Sequence, residues 1–459
     1  MRNRFAVTAG VVALVLAACS SGSGATVAPS SSASAPSTAA STAPSTGAAP
    51  SASVGQAVTI KVWGHQGQDN EVAATKKAVA DFNALNSGVT VDITFIPEGD
   101  YQKKLDTTAV SDLPDVVEVG GENIGDLTYN KKLMPLDGLV SAAAIGNQIS
   151  STIAEGTVGG KLYAVAQFDS GLALYGNKSM LDAAGVSYPT KWQDAWTAAQ
   201  FSDALAKLAA KSAGGKAIDI KEDYAGTWPG YAFLPIVNSA GFLAVKGGKA
   251  DGNLNAPAVV DAMTTFASWK KYVDADADGK AFTAKRVALA WVGHWVYSDN
   301  AKALGSDLVV IPLPDFGAGT KSGQGSYTWA IGASTKNGAA AGKFIEFLMQ
   351  DAQVKAMTDA NGAPPATKTA TAASQLYAPG GPLQLYADQL AVSCGGGDVD
   401  MTKQCVDVPR TISAAWPVIN TDFSKAFWNI YHGANAKTEL DAAAKAIDQD
   451  SADNNGYQP

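Results

Sequence analysis

A strand, a helix and a second strand follow one another early in this chain, and that order limits the fold more than any other feature. Val58-Thr59-Ile60-Lys61-Val62-Trp63 has the alternating, β-branched character of a strand. Residues 69–86 place Val72, Val79, Phe82 and Leu85 on one helical stripe. Residues 89–96 alternate again through Val89, Val91, Ile93 and Phe95, and Pro114-Asp115-Val116-Val117-Glu118-Val119 is a third strand. A helix between two strands acts as a crossover, so the strands are expected to lie parallel with helices on the faces of the sheet. The expected fold class is α/β.

Further along, residues 172–175 and 308–313 read as strands. Residues 192–211, 339–348 and most of 420–450 read as helices. No short-period repeat is found. Roughly 400 residues follow Ala57, too many for one hydrophobic core, so two domains are expected.

The N-terminus is an address rather than structure. Arg2 and Arg4 precede an apolar or small run at 5–16 that is too short to span a bilayer as a mature helix. It closes with Leu16-Ala17-Ala18-Cys19. Small residues before a cysteine resemble the bacterial lipobox, in which cleavage leaves the cysteine N-terminal and lipid-bearing. Residues 1–19 are therefore expected to be a lipoprotein signal peptide with Cys19 as lipid anchor; an ordinary signal peptide cut nearby is the other reading. Residues 20–56 are nearly all Ser, Ala, Pro, Thr and Gly, without charge or aromatic rings. Such a stretch buries too little apolar surface to offset chain entropy, and is expected to be a disordered tether with ends about 35 Å apart. Glycosylation of its Ser and Thr stays open.

The formal net charge is −8 and charged residues are 17% of the chain, with no basic concentration of the kind nucleic acid requires. Beyond Cys19 there are two cysteines, Cys394 and Cys405. In an exported chain an even pair this close reads as a disulfide closing a short loop. Metal binding would need more ligands than these two.

Several segments, taken in order, resemble the extracellular solute-binding proteins of sugar ABC transporters, the group that includes maltodextrin-binding proteins. Ile60-Lys61-Val62-Trp63-Gly64-His65 is similar to that family's opening strand, and Phe82-Asn83 to its next helix. Tyr101-Gln102-Lys103-Lys104-Leu105 followed by Leu113-Pro114-Asp115-Val116-Val117 is similar to a further stretch, as are Leu133-Met134-Pro135-Leu136-Asp137 and Lys161-Leu162-Tyr163-Ala164-Val165. In the last, Ala166 stands where proline is usual. Leu174-Tyr175-Gly176-Asn177-Lys178 and residues 288–295 complete the series. Each motif is loose; their order from Val58 to about Asp448 carries the resemblance.

That resemblance implies a two-lobe periplasmic-binding-protein-like fold, each lobe a mainly parallel sheet flanked by helices, with a hinged cleft between. Lobe 1 would comprise 57–167 and 311–352, and lobe 2 168–310 and 353–459. The chain would cross near 167–171, 306–314 and 351–361. The implied function is to capture a carbohydrate by lobe closure and deliver it to the permease subunits of an ABC importer. The lipid anchor would hold a monomer at the outer face of the membrane. No cofactor, metal or nucleic acid is expected.

A sugar presents hydroxyls, which carboxylates and amides can meet in pairs, and weakly apolar CH faces, on which flat rings pack. Trp63 and His65 follow the first strand and Glu122 the third, at carboxyl ends where α/β sheets bind ligands. His65 also reads as a loop contact and Glu122 as support for a helix N-terminus. Asp169 lies at the first expected crossing, where the resemblance implies ligand contact. Trp228 and Tyr231 lie in a segment punctuated by Gly and Pro. The resemblance adds Trp291, His294 and Trp295, and then Tyr327 and Trp329. Core packing is the other reading for each ring, with at least two of Trp228, Trp295 and Trp329 expected to face the cleft.

Two alternatives are weighed. Asp274-Ala275-Asp276-Ala277-Asp278-Gly279 opens like a calcium loop, but its twelfth position is Lys285, which would set a cation at the metal. A secreted carbohydrate-active hydrolase would need two carboxyls across a glycosidic bond, such as Glu122 and Asp169. The chain has no G-x-S-x-G, H-E-x-x-H or P-loop. A binding protein for a polyol or other small solute, or one serving sensing or adhesion, shares most of these features.

Overall fold

The computed structural model describes residues 57–457 of the chain. The expected signal peptide, Cys19 and the tether at 20–56 lie outside the described residues. The opening follows the sequence closely. Strand β1 (Val58–Gln66) leads through helix α1 (Asp69–Ala84) to β2 (Val89–Pro97), and β3 (Val116–Gly120) follows. β1 pairs parallel with both β2 and β3. Ala78, Val79 and Phe82 of α1 are buried, whereas Leu85 stands just past the helix end and is 60% exposed, off the expected stripe.

β4 (Leu133–Met134) and β5 (Ala164–Ala166) precede β6 (Leu172–Asn177). Then come α2 (Ala198–Lys211), β7 (Ile218–Asp219), α3 (Pro257–Ser268), β8 (Leu289–Gly293) and β9 (Leu308–Ile311). The later elements are β10 (Ser322–Gln324), β11 (Tyr327–Gly332), α4 (Gly338–Leu348), α5 (Asp351–Asn361), β12 (Asp407–Pro409), α6 (Trp416–Tyr431) and α7 (Ala436–Asp453). The helix expected over 192–211 begins only at Ala198, because Thr197 caps it through its side chain. The run expected over 420–450 is two helices, parted at Gly433 with φ +102°. Among the described residues, no helix is long and apolar enough to cross a membrane.

Two principal sheets result. The first has the order β2–β1–β3–β11–β4, with β5 also on β11, and the second β9–β6–β8–β7. Both are mixed rather than mainly parallel. β11 runs antiparallel to β3, β4 and β5, and β6 runs antiparallel to β8 and β9. The reason is topological: β11 enters the first sheet from a chain that has just left the second. Each sheet has its own core. Ile60, Val62, Phe82, Val116, Phe344 and Ile345 pack around the first. Phe201, Phe233, Phe266, Trp269, Trp416 and Phe427 pack beside the second.

Three stretches pass between the sheets. The first, 167–171, joins β5 to β6. The second leads from β9 through β10 to β11. The third follows α5, which is a helix rather than the expected crossing. Residues 353–361 of α5 pack with the first sheet: Asn361 Nδ2 donates to Glu71 Oε1 of α1 at 3.1 Å. The first and third passages lie side by side, with Asp169 N donating to Pro364 O at 2.8 Å and Ala366 N to Gln167 O at 3.1 Å.

Phe233 is fully buried and stacks on Phe427 at 4.4 Å and 3°. Phe233→Ala is expected to lower stability by about 3–5 kcal/mol in urea unfolding. A loss below about 1 kcal/mol would contradict this packing.

Candidate functional site

The carboxyl end of β1 is tied to β3 by charge. Both the backbone N and Nδ1 of His65 lie on Glu118 Oε2, at 3.1 and 2.9 Å. The imidazole is 7% exposed and stacks on Tyr327 with centroids 3.7 Å apart. Tyr327 Oη donates to Glu98 Oε1 at 2.5 Å. Burial works against the imidazolium, but the carboxylates of Glu118, Glu98 and Glu71 outweigh it and carry the His65 pKa up to about 9. Beside it, His65, Glu71, Val72, Thr75, Glu118, Phe168 and Met357 line a 10 Å³ cavity, about the room of one water. Trp63 is half-buried, with Lys104 Nζ 5.3 Å above its ring.

On the other side, Tyr224, Trp228, Tyr231 and Trp295 gather into one aromatic group. Their ring centroids stand 5.1 Å (Tyr224–Trp228), 5.9 Å (Trp228–Tyr231), 6.0 Å (Trp228–Trp295) and 6.0 Å (Tyr231–Trp295) apart. None is buried, and Tyr224 is 38% exposed. The Trp295 ring folds back over Gly293, where an added side-chain carbon would meet it at 2.0 Å. Trp295 Nε1 donates to Tyr224 Oη at 3.2 Å and Trp228 Nε1 to Ile220 O at 3.1 Å. The loop presenting Tyr224 is held in unfavourable backbone, with φ +57° at Lys221 and +45° at Ala225.

A polar wall meets these rings. Glu122 lies in the single turn after β3, and its Oε2 contacts Arg410 Nη1 at 2.6 Å. The Arg410 guanidinium also lies 4.9 Å from the centre of the Tyr231 ring, an arrangement that favours attraction between cation and ring face. Gly325 leaves it room: a side-chain carbon there would lie 2.3 Å from Nε. Behind Arg410, Glu155 accepts from Ser326 N at 2.9 Å and from Ser326 Oγ at 3.0 Å. Burial and then Asp169 push the Glu155 carboxyl up to about 8. Asp407 is 1% exposed, and neither of its carboxylate oxygens has a hydrogen-bond partner among the described residues. Burial, then Asp169 and Glu155, hold its carboxyl well above the usual carboxylate range.

Several expected contacts belong to the interior instead. Trp291 is 1% exposed, its Nε1 donating to Ala232 O at 3.1 Å. Trp329 is equally buried, and its Nε1 donates to Gln167 Oε1 at 3.1 Å. Both sit inside strands whose two faces are covered. Asp169 is wholly buried and its oxygens are engaged, accepting from Ser151 Oγ at 2.6 Å, Ser170 N at 2.7 Å and Gln324 Nε2 at 3.0 Å. Glu122 is thus paired with Arg410, and Asp169 with its three donors.

His294 is a connector. Its Nδ1 lies 3.0 Å from Asn361 O and its Nε2 3.1 Å from Ser170 Oγ. Burial lowers its pKa to about 4, so the ring is neutral at pH 7. A carbonyl can only accept, so Nδ1 carries the proton and Nε2 accepts from the serine. Ser170 Oγ then accepts from Tyr231 Oη, 2.7 Å away. His294 thereby links the first passage, the end of α5 and one ring of the aromatic group.

The acidic loop is filled by the protein's own cations. Asp219, Asp223 and Asp276 converge, but Lys221 Nζ lies 2.7 Å from Asp219 and 2.9 Å from Asp276. Arg286 engages Asp274, Asp276 and Asp278 at 3.3, 3.1 and 2.6 Å. Cys394 and Cys405 form the expected disulfide. Sequence reasoning missed Tyr224, Glu155, Asp407 and Arg410. One signal was present: Arg286 and Arg410 are the only arginines beyond the N-terminal run.

A histidine whose folded pKa stands above its unfolded value adds stability below pH 6.5 and loses it as pH rises through 9. Wild type should therefore lose about 3 kcal/mol more than His65→Gln across that window. Thermal unfolding from pH 6 to 10 checks this, and parallel profiles would refute the His65–Glu118 assignment.

Comparison with known proteins agrees with this architecture. A family model described as bacterial extracellular solute-binding protein matches residues 77–379. An uncharacterized lipoprotein of Streptomyces antibioticus is 25% identical over 231 residues, covering 50% of this chain and 44% of that protein, so the chain spans less than half of that relative. The GacH receptor of Streptomyces glaucescens GLA.O, solved unliganded and with acarbose, is 21% identical with a TM-score of 0.67, over 86% of this chain and 98% of that one. An ABC substrate-binding protein of Listeria monocytogenes in complex with cycloalternan is 18% identical with a TM-score of 0.71, over 86% and 99%. The maltose/maltodextrin-binding domain of Bdellovibrio bacteriovorus, bound to maltotriose, is 17% identical with a TM-score of 0.70, over 86% and 100%. At these identities the likeness to solved structures is one of fold, the two-lobe α/β architecture. The chain belongs to the family of bacterial extracellular solute-binding proteins.

Proposed function

We propose that this protein captures a sugar or oligosaccharide between two lobes and delivers it to the permease of an ABC importer, held at the extracytoplasmic face of the cell membrane by lipid on Cys19. The observation that carries the carbohydrate reading is the group Tyr224, Trp228, Tyr231 and Trp295, unburied and facing the Glu122–Arg410 pair. Rings accept the CH faces of a sugar and the charged pair meets its hydroxyls. Solved proteins of like fold were crystallised with acarbose, cycloalternan and maltotriose. The residues proposed to touch solute are Trp228, Tyr231, Trp295, Glu122 and Tyr224. His65, Trp63 and Tyr327 edge the same region from the first sheet.

The proposed moving bodies are the two sheets with their helices. Lobe 1 takes 57–167, the 327–352 return and α5; lobe 2 takes 168–321 and the C-terminal helices. Solute that touches both bodies favours the closed population by its differential affinity.

Isothermal titration with maltotriose, acarbose and cycloalternan tests the reading, with product analysis alongside. Binding without turnover is expected for at least one of them. Absence of binding across a broad saccharide panel, or release of hydrolysed product, would overturn it. Trp295→Ala should weaken the tightest ligand about tenfold or more, roughly 1.4 kcal/mol, while the folded state survives. Unchanged affinity would remove Trp295 from the site.

A further inference from the structure

β12 is three residues long and pairs with an equally short β10, matching Ser322 to Asp407, Gly323 to Val408 and Gln324 to Pro409. So short a pairing is marginal by itself, and a one-residue slip would turn every side chain to the opposite face. Its register is held from the N-terminal side. The disulfide joins Cys394 to Cys405, two residues before β12. Cys394 N donates to Asp407 O at 2.7 Å, Val406 N to Val392 O at 2.8 Å, and Ser322 N to Val406 O at 2.9 Å. Lys321, 1% exposed, adds a second clasp. Its Nζ donates to Ala318 O at 2.6 Å, Thr402 O at 2.9 Å and Cys405 O at 3.1 Å, so two of its acceptors lie inside the disulfide loop or at its end.

Arg410 follows β12 directly. Its guanidinium must reach Glu122, lie on Tyr231 and pass over Gly325, so its position tolerates little drift. We propose that the Cys394–Cys405 disulfide is a positioning element of the solute site: it fixes the register of β12 and thereby holds Arg410 against the aromatic group. This rests on the solute-binding reading above. The disulfide touches no solute; it acts through Arg410.

The test uses the full chain in four forms: wild type, Cys394→Ser/Cys405→Ser, Arg410→Gln and the triple variant. Maltotriose titration should show about tenfold weaker binding for the cysteine-free form and for Arg410→Gln. The triple variant should lose no more than either, because both changes remove the same positioned group. Wild-type affinity in the cysteine-free form, or losses that simply add, would overturn the proposal. Hydrogen–deuterium exchange gives a readout without ligand. Residues 405–412 should exchange faster in the cysteine-free form while β6 and β11 keep wild-type protection. Unchanged exchange at 405–412, or general loss of protection, would also overturn it. If maltotriose fails to bind wild type, the same four forms are titrated with acarbose and cycloalternan; if no saccharide binds wild type, the fault lies with the carbohydrate reading, and exchange alone decides whether the disulfide positions Arg410.

Discussion

Antiparallel insertion of β11 beside β3 is the constraint on which the rest of the molecule hangs. Five register pairs join them, from Tyr327 opposite Gly120 to Ile331 opposite Val116. The strand arrives after the chain has built the second sheet, so the first sheet cannot be completed from one continuous stretch. That single pairing sets Tyr327 on the His65 ring, brings Ser326 to Glu155 and carries the Trp329 indole to Gln167 in the first passage. Two of the passages exchange backbone hydrogen bonds, and His294 ties the first of them to the end of α5.

The interior between those cores is unusually acidic. Glu122, Glu155 and Asp169 act on one guanidinium, Asp407 lies near Asp169 and Glu155, and a buried carboxylate without full compensation is costly. The molecule meets the cost in three ways. Glu122 takes the ion pair. Asp169 takes a full set of hydrogen-bond donors. Glu155 and Asp407 hold raised pKa values, and Asp407 has no hydrogen-bond partner among the described residues. Removing Arg410 from such a group would therefore disturb several protonation equilibria at once, which makes its placement more consequential than a surface arginine's would be.

Much of the fold was legible because it rests on local periodicity. The two-residue period of β1 and β2 and the apolar stripe of α1 are written within short windows of sequence. What escaped was non-local. Trp291 and Trp295 stand in the same short stretch, yet one is core and the other half-exposed. β8 is covered on both faces, so alternation carries no information there, and only the turn after Gly293 releases the second ring. Carboxyl-end logic pointed to Glu122 and His65, and Gly/Pro punctuation to Trp228 and Tyr231. The rarity of arginine marked Arg410, but its place was not legible because the three-residue strand delivering it is defined by a partner far earlier in the chain.

The aromatic group completes the argument. Four rings packed edge-on and tilted, none of them buried, leave apolar surface in water that a stability-driven core would cover. Positive φ at Lys221 and Ala225 adds local strain to the loop holding Tyr224. Trp228, Tyr231 and Trp295 also pack against the core beside the second sheet. On the proposed reading, a partner with flat, weakly apolar faces and dense hydroxyls would cover what the rings leave exposed and touch Glu122 and Arg410. Because the rings belong to the second half and Glu122 to the first, such a partner would draw the halves together through its own contacts, and the strength of closure would track how many rings it covers.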